Sequence, residues 1–138
     1  MRPVFSVQKV VLLEHTDATG VIFFPRQMEW AIEAFELFLR QRRVGYREFL
    51  LDSPYGFPVV HATSDYLHPV VLGDVIDVQI THITLGTTSV SIMFSFVNAH
   101  TQELAGKGKI VFVCVDKGLH KSIPVPPHWR DVLLDTDV

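Results

Sequence analysis

The chain lacks the features that mark disulfide-rich, nucleic-acid-binding and membrane-spanning proteins. It has a single cysteine, Cys114, so an intramolecular disulfide framework cannot form. Its 12 Lys and Arg residues against 15 Asp and Glu leave a formal charge of −3, which provides no basic surface for nucleic acid or a membrane. The charge-free stretch over residues 85–102 is interrupted by polar residues in near alternation, which indicates a strand rather than a membrane span. These absences favour a small molecule or another protein as partner.

Further absences bear on location, metal binding and domain count. The only early apolar stretch, residues 10–13, is too short for a secretory signal and ends at Glu14, so we expect a cytoplasmic protein. The seven histidines show neither H-x-x-x-H nor cysteine-containing zinc spacing, so we expect no metal and no separate cofactor. With 138 residues and no repeat, low-complexity block or linker, the chain is expected to form one domain spanning residues 1–138.

Hydrophobic periodicity predicts one long helix and five strands. Apolar residues recur at helical spacing from Pro25 to Arg43, and Gly45 is the expected C-terminal stop. Strands are predicted over residues 4–13, 57–67, 74–83, 88–98 and 104–115, the last three as an antiparallel meander. The most economical packing lays the helix across one face of the sheet. We therefore expect an α+β fold, a five-stranded antiparallel sheet wrapped around one central helix.

A short loop before the helix is the candidate reactive site. Asp17 lies in a turn predicted to run from Thr16 to Gly20, and Pro25 suits the first helical position. That makes Phe24 the expected N-cap, and phenylalanine has no side-chain oxygen to accept from the first-turn amides. Water or a substrate carbonyl oxygen could fill that role, beside the Asp17 carboxylate. Without further context, Asp17 also fits an ordinary Asx-turn.

The stretch T-D-A-T-G-V-I-F-F-P over residues 16–25, together with the order of elements, resembles the hotdog-fold acyl-CoA thioesterases of the 4-hydroxybenzoyl-CoA type. Residues 57–66 and 124–129 resemble the 1,4-dihydroxy-2-naphthoyl-CoA hydrolase subgroup. The resemblance covers nearly the whole chain. It implies hydrolysis of an acyl-CoA, with coenzyme A as part of the substrate. It also implies a homodimer joined edge to edge, commonly paired into a homotetramer, with each site built from two chains.

The resemblance assigns roles to particular residues. It implies that Asp17 is the catalytic carboxylate, acting as nucleophile or as general base, and that the backbone N–H near Phe24 polarises the thioester carbonyl. We add five candidate substrate-binding residues, although the residue pattern favours structural roles for the two histidines: His15, Gly20, Phe23, Trp30 and His61.

Several alternatives stay open at this stage. The turn at residues 85–88 has no Lys or Arg to hold coenzyme A phosphates, so an acyl carrier protein is the alternative thioester carrier. A second hotdog subfamily places its catalytic carboxylate on the helix, where this chain has a polar row that also fits a solvated face: Glu29, Glu33, Glu36 and Arg40. Two other functions compete, an enoyl or hydroxyacyl thioester hydratase-dehydratase and a non-catalytic thioester-binding or carrier-binding protein.

Overall fold

The computed structural model describes residues 2–134, so Met1 and residues 135–138 of the expected 1–138 domain lie outside it. The elements in chain order are β1 Phe5–Val10, a short 3-10 turn Leu13–His15, α1 Pro25–Gln41, α2 Tyr46–Leu50, β2 Tyr55–Gly56, β3 Val59–Tyr66, β4 Val75–Leu85, β5 Ser89–Asn98, β6 Leu104–Val113, β7 Val115–Asp116, β8 Lys121–Ser122 and α3 Pro127–Leu134.

The main sheet has five antiparallel strands in the order β1, β4, β5, β6, β3. The predicted meander is confirmed as β4, β5 and β6, and α1 packs on the sheet through contacts with β4, β1 and β6. Strand residues alternate between the helix-facing side and the opposite face. The buried set on the helix-facing side includes Ile76, Val78, Ile80, Ile92, Phe94, Ile110 and Phe112. The predicted α+β hotdog fold is confirmed.

Helix α1 buries a stripe that runs along its sheet-facing side. The buried residues follow helical spacing and include one polar side chain: Gln27, Trp30, Ala31, Ala34, Phe35, Phe38 and Leu39. The polar row on the other side is exposed, and two of its carboxylates form ion pairs 3.0 Å long, Glu33 with Lys9 and Glu29 with Arg26. These pairs support the solvated-face interpretation of the row.

The sequence prediction was wrong at several boundaries. The first strand ends at Val10, because residues 13–15 turn into a 3-10 helix instead of continuing the strand. Helix α1 ends at Gln41, and the left-handed residue that terminates it is Arg43, with φ of 63°, whereas Gly45 is the N-cap of α2. The ladder of β6 ends at Val113, two residues before the predicted end.

Three elements were missed entirely: α2, α3 and the small sheet of β2, β7 and β8. The predicted C-terminal tail instead forms α3. Contacts between distant aromatic residues hold these pieces in place. Phe49 of α2 stacks on Phe57 at 4.0 Å and meets Trp129 of α3 edge-on at 5.1 Å between ring centroids. Such contacts depend on tertiary packing and leave little local periodicity to detect.

The structure also describes the single cysteine and bears on the expected lack of a membrane span. Cys114 is buried, and burial raises the pKa of its thiol, which agrees with a packing role for this residue. Within residues 2–134, no helix combines the length and apolarity required to cross a bilayer.

Candidate active site

The loop that carries Asp17 is a tight, hydrogen-bonded turn. Gly20 donates its N–H to the Asp17 carbonyl at 3.0 Å, and the Asp17 N–H donates to the Val21 carbonyl at 3.1 Å. Gly20 has φ of 85°, a conformation that glycine adopts at little cost and other residues rarely reach. Ile22 then donates its N–H to the Val70 carbonyl at 2.7 Å, which ties the loop to the segment that follows β3.

The Asp17 carboxylate is held by one oxygen and open at the other. Oδ1 accepts from the Thr19 N–H at 2.8 Å and from the Thr19 hydroxyl. Within the described part of the chain, Oδ2 has no hydrogen-bond donor. The Thr19 hydroxyl, followed by the Thr19 N–H, lowers the pKa of Asp17 below its ordinary value of 3.8, against a smaller opposing effect of burial. The carboxylate is therefore charged at neutral pH, and Oδ2 is available for reaction.

The start of α1 presents an unpaired backbone donor, the Phe24 N–H. Pro25 is the first helical residue and has no N–H, as predicted, and Phe24 is the N-cap without a side-chain cap. The Arg26 N–H is satisfied by the Phe23 carbonyl at 2.9 Å, and the Phe23 N–H by the His15 carbonyl at 2.8 Å. For residues 2–134, the Phe24 N–H has no acceptor. Because it lies at the positive end of the helix dipole, this N–H suits a developing oxyanion.

Asp17 and Phe24 line one cavity of about 380 Å³. This volume is within the usual range for small-molecule sites. Its remaining walls come from the loop, from α1, from the end of β3 and the segment after it, and from β6. Most of these residues are apolar: Val21, Ile22, Leu67, Pro69, Val70 and Ala105. Asp17 and Phe24, which carry the open carboxylate oxygen and the free N–H, thus both line a mostly apolar cavity. Groups of these two kinds are suited to cleaving an ester or thioester of an apolar acid.

Three polar residues of this cavity were not identified from the sequence: Gln27, Tyr66 and His68. Gln27 left one detectable signal, a polar side chain within the buried stripe of α1. Tyr66 and His68 lie at and just beyond the end of β3, and only the sheet register brings them to the helix start. His68 also forms an exposed pair with Glu103, 3.2 Å from Nδ1 to the carboxylate.

Two predicted substrate-binding residues, His15 and Trp30, lie in the interior and do not line the cavity. His15 is 9% exposed, and its Nδ1 accepts from the Leu12 N–H at 3.0 Å. Its ring meets Trp30 edge-on, with centroids 5.2 Å apart, and Trp30 is 4% exposed. These contacts support structural roles for both residues.

The other three predicted substrate-binding residues also lie outside the cavity lining. Gly20 forms the turn, and the exposed Phe23 packs against Phe24 with ring centroids 5.4 Å apart. In β3, Ser64 bonds to α1 and so faces the helix, which places His61 on the opposite face of the sheet by strand alternation. A role for His61 or Phe23 in substrate binding stays a prediction. No cluster of three or more metal-binding side chains occurs among the described residues.

Comparison with known proteins places these features in a family. The model of the thioesterase-like superfamily matches residues 11–133. A 1,4-dihydroxy-2-naphthoyl-CoA hydrolase from Microcystis aeruginosa is 28% identical over 129 residues, covering 91% of this chain and 92% of that protein. The enzyme of the same name from Synechocystis is 24% identical over 133 residues, covering 96% of each.

A solved structure is also similar. The crystal structure of a 1,4-dihydroxy-2-naphthoyl-CoA thioesterase from Synechocystis superposes with a TM-score of 0.88 at 25% identity, and the match covers 97% of this chain and 98% of that one.

Proposed function

The chain belongs to the thioesterase-like superfamily, and on that premise we propose that it hydrolyses an aromatic acyl-CoA to the free acid and coenzyme A. Thioester hydrolysis, predicted from the sequence, is confirmed by the family and its similar enzymes. The observation that supports the proposed chemistry is that Asp17, with its ionised carboxylate, and Phe24, with its free N–H, line the same cavity.

In the proposed mechanism, the thioester carbonyl oxygen accepts the Phe24 N–H. The donor is fixed in advance by the helix, so negative charge that develops on this oxygen is stabilised without reorganisation. Asp17 Oδ2 then acts by one of two routes. As a nucleophile, it bonds to the carbonyl carbon while the C–S bond breaks and coenzyme A leaves as the thiolate; water then opens the resulting anhydride to the free acid and the Asp17 carboxylate. As a general base, it takes a proton from a water whose oxygen bonds to the carbonyl carbon, and the C–S bond then breaks as the departing thiolate takes up that proton. Either route requires the ionised carboxylate that Thr19 favours.

The aromatic acyl group is proposed from the lining and from the similar enzymes. The apolar walls beside Asp17 suit a flat hydrocarbon ring. The similar enzymes from Microcystis and Synechocystis are named for a dihydroxynaphthoyl thioester. A hydroxybenzoyl-CoA or a dihydroxynaphthoyl-CoA is therefore the proposed substrate class, with coenzyme A preferred over an acyl carrier protein.

We also retain the expected homodimer or homotetramer as part of this proposal. Strand β3 lies at one edge of the sheet and runs for eight residues, with Val59 and Val60 at least half exposed. Long apolar edge strands are usually covered, because they otherwise pair with other chains. Sedimentation equilibrium tests the assembly, and a monomer at enzymatic concentrations would contradict it.

A thiol-release assay tests the proposed activity. Coenzyme A esters of benzoic, hydroxynaphthoic, short aliphatic and long aliphatic acids are compared under one condition. We expect the aromatic esters to show the highest kcat/KM. Equal or greater turnover of the aliphatic esters would contradict an aromatic substrate, and no thiol release with tight ester binding would indicate a binding protein.

One observation favours the hydratase-dehydratase alternative: His68, which lines the cavity, pairs with Glu103. A histidine paired with an acid is the arrangement expected for that chemistry. Loss of enoyl absorbance from an enoyl-CoA, without thiol release, would favour it. We expect thiol release and no change in the enoyl group.

A further inference from the structure

We propose that Tyr66 is a positioning residue for the reaction. It fixes Phe24, whose N–H donates to the oxyanion. The inference rests on the proposed function, because it concerns the donor used in thioester cleavage. Tyr66 does not act on the substrate in this account. It acts through Phe24, and Gln27 supports it one turn further along the helix.

The direct contact is a hydrogen bond from the end of β3 to the start of α1. The Tyr66 hydroxyl donates to the Phe24 carbonyl at 2.6 Å. That carbonyl belongs to the same residue as the free N–H, so the bond restrains the dihedral angles that aim the donor. The short distance is typical of a well-formed O–H···O bond.

Phe24 needs such a restraint, because its own side chain contributes little. The ring is 63% exposed and its only ring contact among the described residues is with the exposed Phe23. Its N–H is unpaired within residues 2–134, and the following residue is a proline, which removes another donor. The Arg26 N–H holds the peptide unit that carries this donor, through the Phe23 carbonyl at 2.9 Å, and the Tyr66 hydroxyl holds the next unit, through the Phe24 carbonyl.

Gln27 attaches the next part of the helix to the two residues of β3 that precede Tyr66. It is 3% exposed, and its Nε2 donates to Ser64 Oγ at 2.7 Å and to the Asp65 carbonyl at 3.0 Å. A buried amide with two partners defines a position more sharply than apolar contact does. Gly106 makes room for it, since a Cβ there would collide with the Gln27 side chain. The helix start is thus held to β3 at two successive points.

The alternative is that Tyr66 merely stabilises the fold or touches the substrate. A structural role would lower stability without a matching loss of turnover. A substrate contact would change KM or acyl preference. Misplacement of the donor would instead lower kcat for every acyl group, because all share the thioester carbonyl. A displacement of about 1 Å in a catalytic group can reduce rates by about a hundredfold.

Tyr66→Phe is the test, with Tyr55→Phe as the matched control. Tyr55 is half-buried in β2, outside the cavity, and its hydroxyl has no hydrogen-bond partner among the described residues. The assay measures kcat and KM for benzoyl-CoA and hexanoyl-CoA, with a thermal melt for each variant. We expect Tyr66→Phe to lower kcat by roughly ten- to a hundredfold for both esters at unchanged KM, while Tyr55→Phe leaves kcat unchanged.

A readout independent of activity completes the test. In protein labelled with 15N-phenylalanine, the Phe24 amide resonance should shift or broaden in Tyr66→Phe and stay in place in Tyr55→Phe. Ser64→Ala, which removes one acceptor of Gln27, should lower kcat in the same direction by a smaller factor. Wild-type kcat in Tyr66→Phe, a loss confined to one ester, or an unmoved Phe24 resonance would overturn the inference. If wild-type protein cleaves no thioester, the proposed function fails, and the Phe24 resonance still decides whether Tyr66 positions it.

Discussion

The two ends of helix α1 are built in opposite ways. At its C-terminal end the backbone is closed: the Val44 N–H donates to the Leu39 carbonyl at 2.9 Å and the Arg43 N–H to Arg40 at 2.9 Å. With Arg43 in the left-handed region, this is a Schellman-type termination. At the N-terminal end, the Phe24 N–H has no acceptor within residues 2–134. An unpaired donor is therefore a local feature of one end and not a general property of this helix.

A cavity lies at each end, and the two differ in chemistry more than in size. The C-terminal cavity of about 410 Å³ is lined largely by charged residues, including Glu36, Arg40, Arg43 and Arg47. The N-terminal cavity of about 380 Å³ is mostly apolar and contains Asp17. A carboxylate and an N–H act more strongly in apolar surroundings than among solvated charges. The N-terminal end therefore has the features of a reactive site, whereas the C-terminal end serves to terminate the helix.

Asp17→Asn should have the largest effect. A positioned carboxylate that acts as general base contributes roughly 10²–10⁴ to the rate, and asparagine cannot replace it. Its side-chain oxygen can still accept from Thr19, so the turn should persist. We expect kcat for benzoyl-CoA to fall by about a hundredfold or more with an unchanged melting temperature.

Asp74→Asn is the matched control for that change. Asp74 also accepts a backbone N–H in a turn, that of Val71 at 2.9 Å, but it does not line the cavity. Its variant should keep wild-type turnover. Equal losses in the two variants would mean that Asp17 matters only for the turn.

His15→Ala tests whether the buried His15 stabilises the fold near the N-terminal end of α1. The substitution removes the acceptor of the Leu12 N–H and the edge contact with Trp30. Losing a part-buried hydrogen bond together with the packing of a buried ring costs about 1–3 kcal/mol, so we expect the free energy of unfolding to fall by that amount. Denaturant titration measures it, with the exposed His82→Ala expected to lie within about 0.5 kcal/mol of wild type. If His15→Ala had wild-type stability and an altered KM, His15 would be a substrate-binding residue and not a structural one.

Arg43→Gly tests the closed end and should have a smaller effect of opposite sign. Glycine adopts the left-handed conformation without the strain that a Cβ introduces there. Relief of about 1–2 kcal/mol of left-handed strain, less about 0.4–1 kcal/mol of backbone entropy that glycine loses on folding, gives a gain of up to about 1 kcal/mol in the free energy of unfolding. We expect kcat to be unchanged. Arg40→Gly, inside the helix, should instead cost about 1 kcal/mol. A change in kcat for Arg43→Gly would mean that the C-terminal end of α1 also affects the reaction, which contradicts the roles given to the two ends.

Thr19→Val should have the smallest effect, a shift in the titration of Asp17. The Thr19 hydroxyl lowers the pKa of Asp17, so its removal should raise that pKa toward 3.8 while the Thr19 N–H remains. A lowered pKa stabilises the fold above the unfolded value, and this contribution is lost as pH falls through the folded value. Carboxyl 13C resonances across the acid range measure the shift. A lower pKa in the variant would contradict the assigned cause.

The sequence allowed prediction of the elements whose causes are local. The structure has a strand where residues 88–98 alternate and a helix where apolar residues recur after Pro25. It also has the expected turn at the glycine that follows Asp17. Phe24 as N-cap also followed from chain order, because proline favours the first helical position. The loop and the helix start, two parts of the candidate site, could therefore be named in advance.

The rest of the site depends on register and packing between distant segments. Tyr66 reaches Phe24 only because β3 pairs with β6 and ends beside the helix start, 42 residues along the chain. The same alternation that brings Ser64 to Gln27 carries His61 to the other face, which sequence position alone does not show. Arg43 stands where glycine is usual, so the helix end was displaced in the prediction.

A crystal structure of Asp17→Asn with bound benzoyl-CoA would show where the thioester carbonyl lies. The variant should bind the ester without cleaving it. We predict the carbonyl oxygen about 2.7–3.1 Å from the Phe24 nitrogen, with the carbonyl carbon facing residue 17 in the apolar cavity. A carbonyl out of reach of that nitrogen, or an ester bound at the charged C-terminal end of α1, would contradict the account.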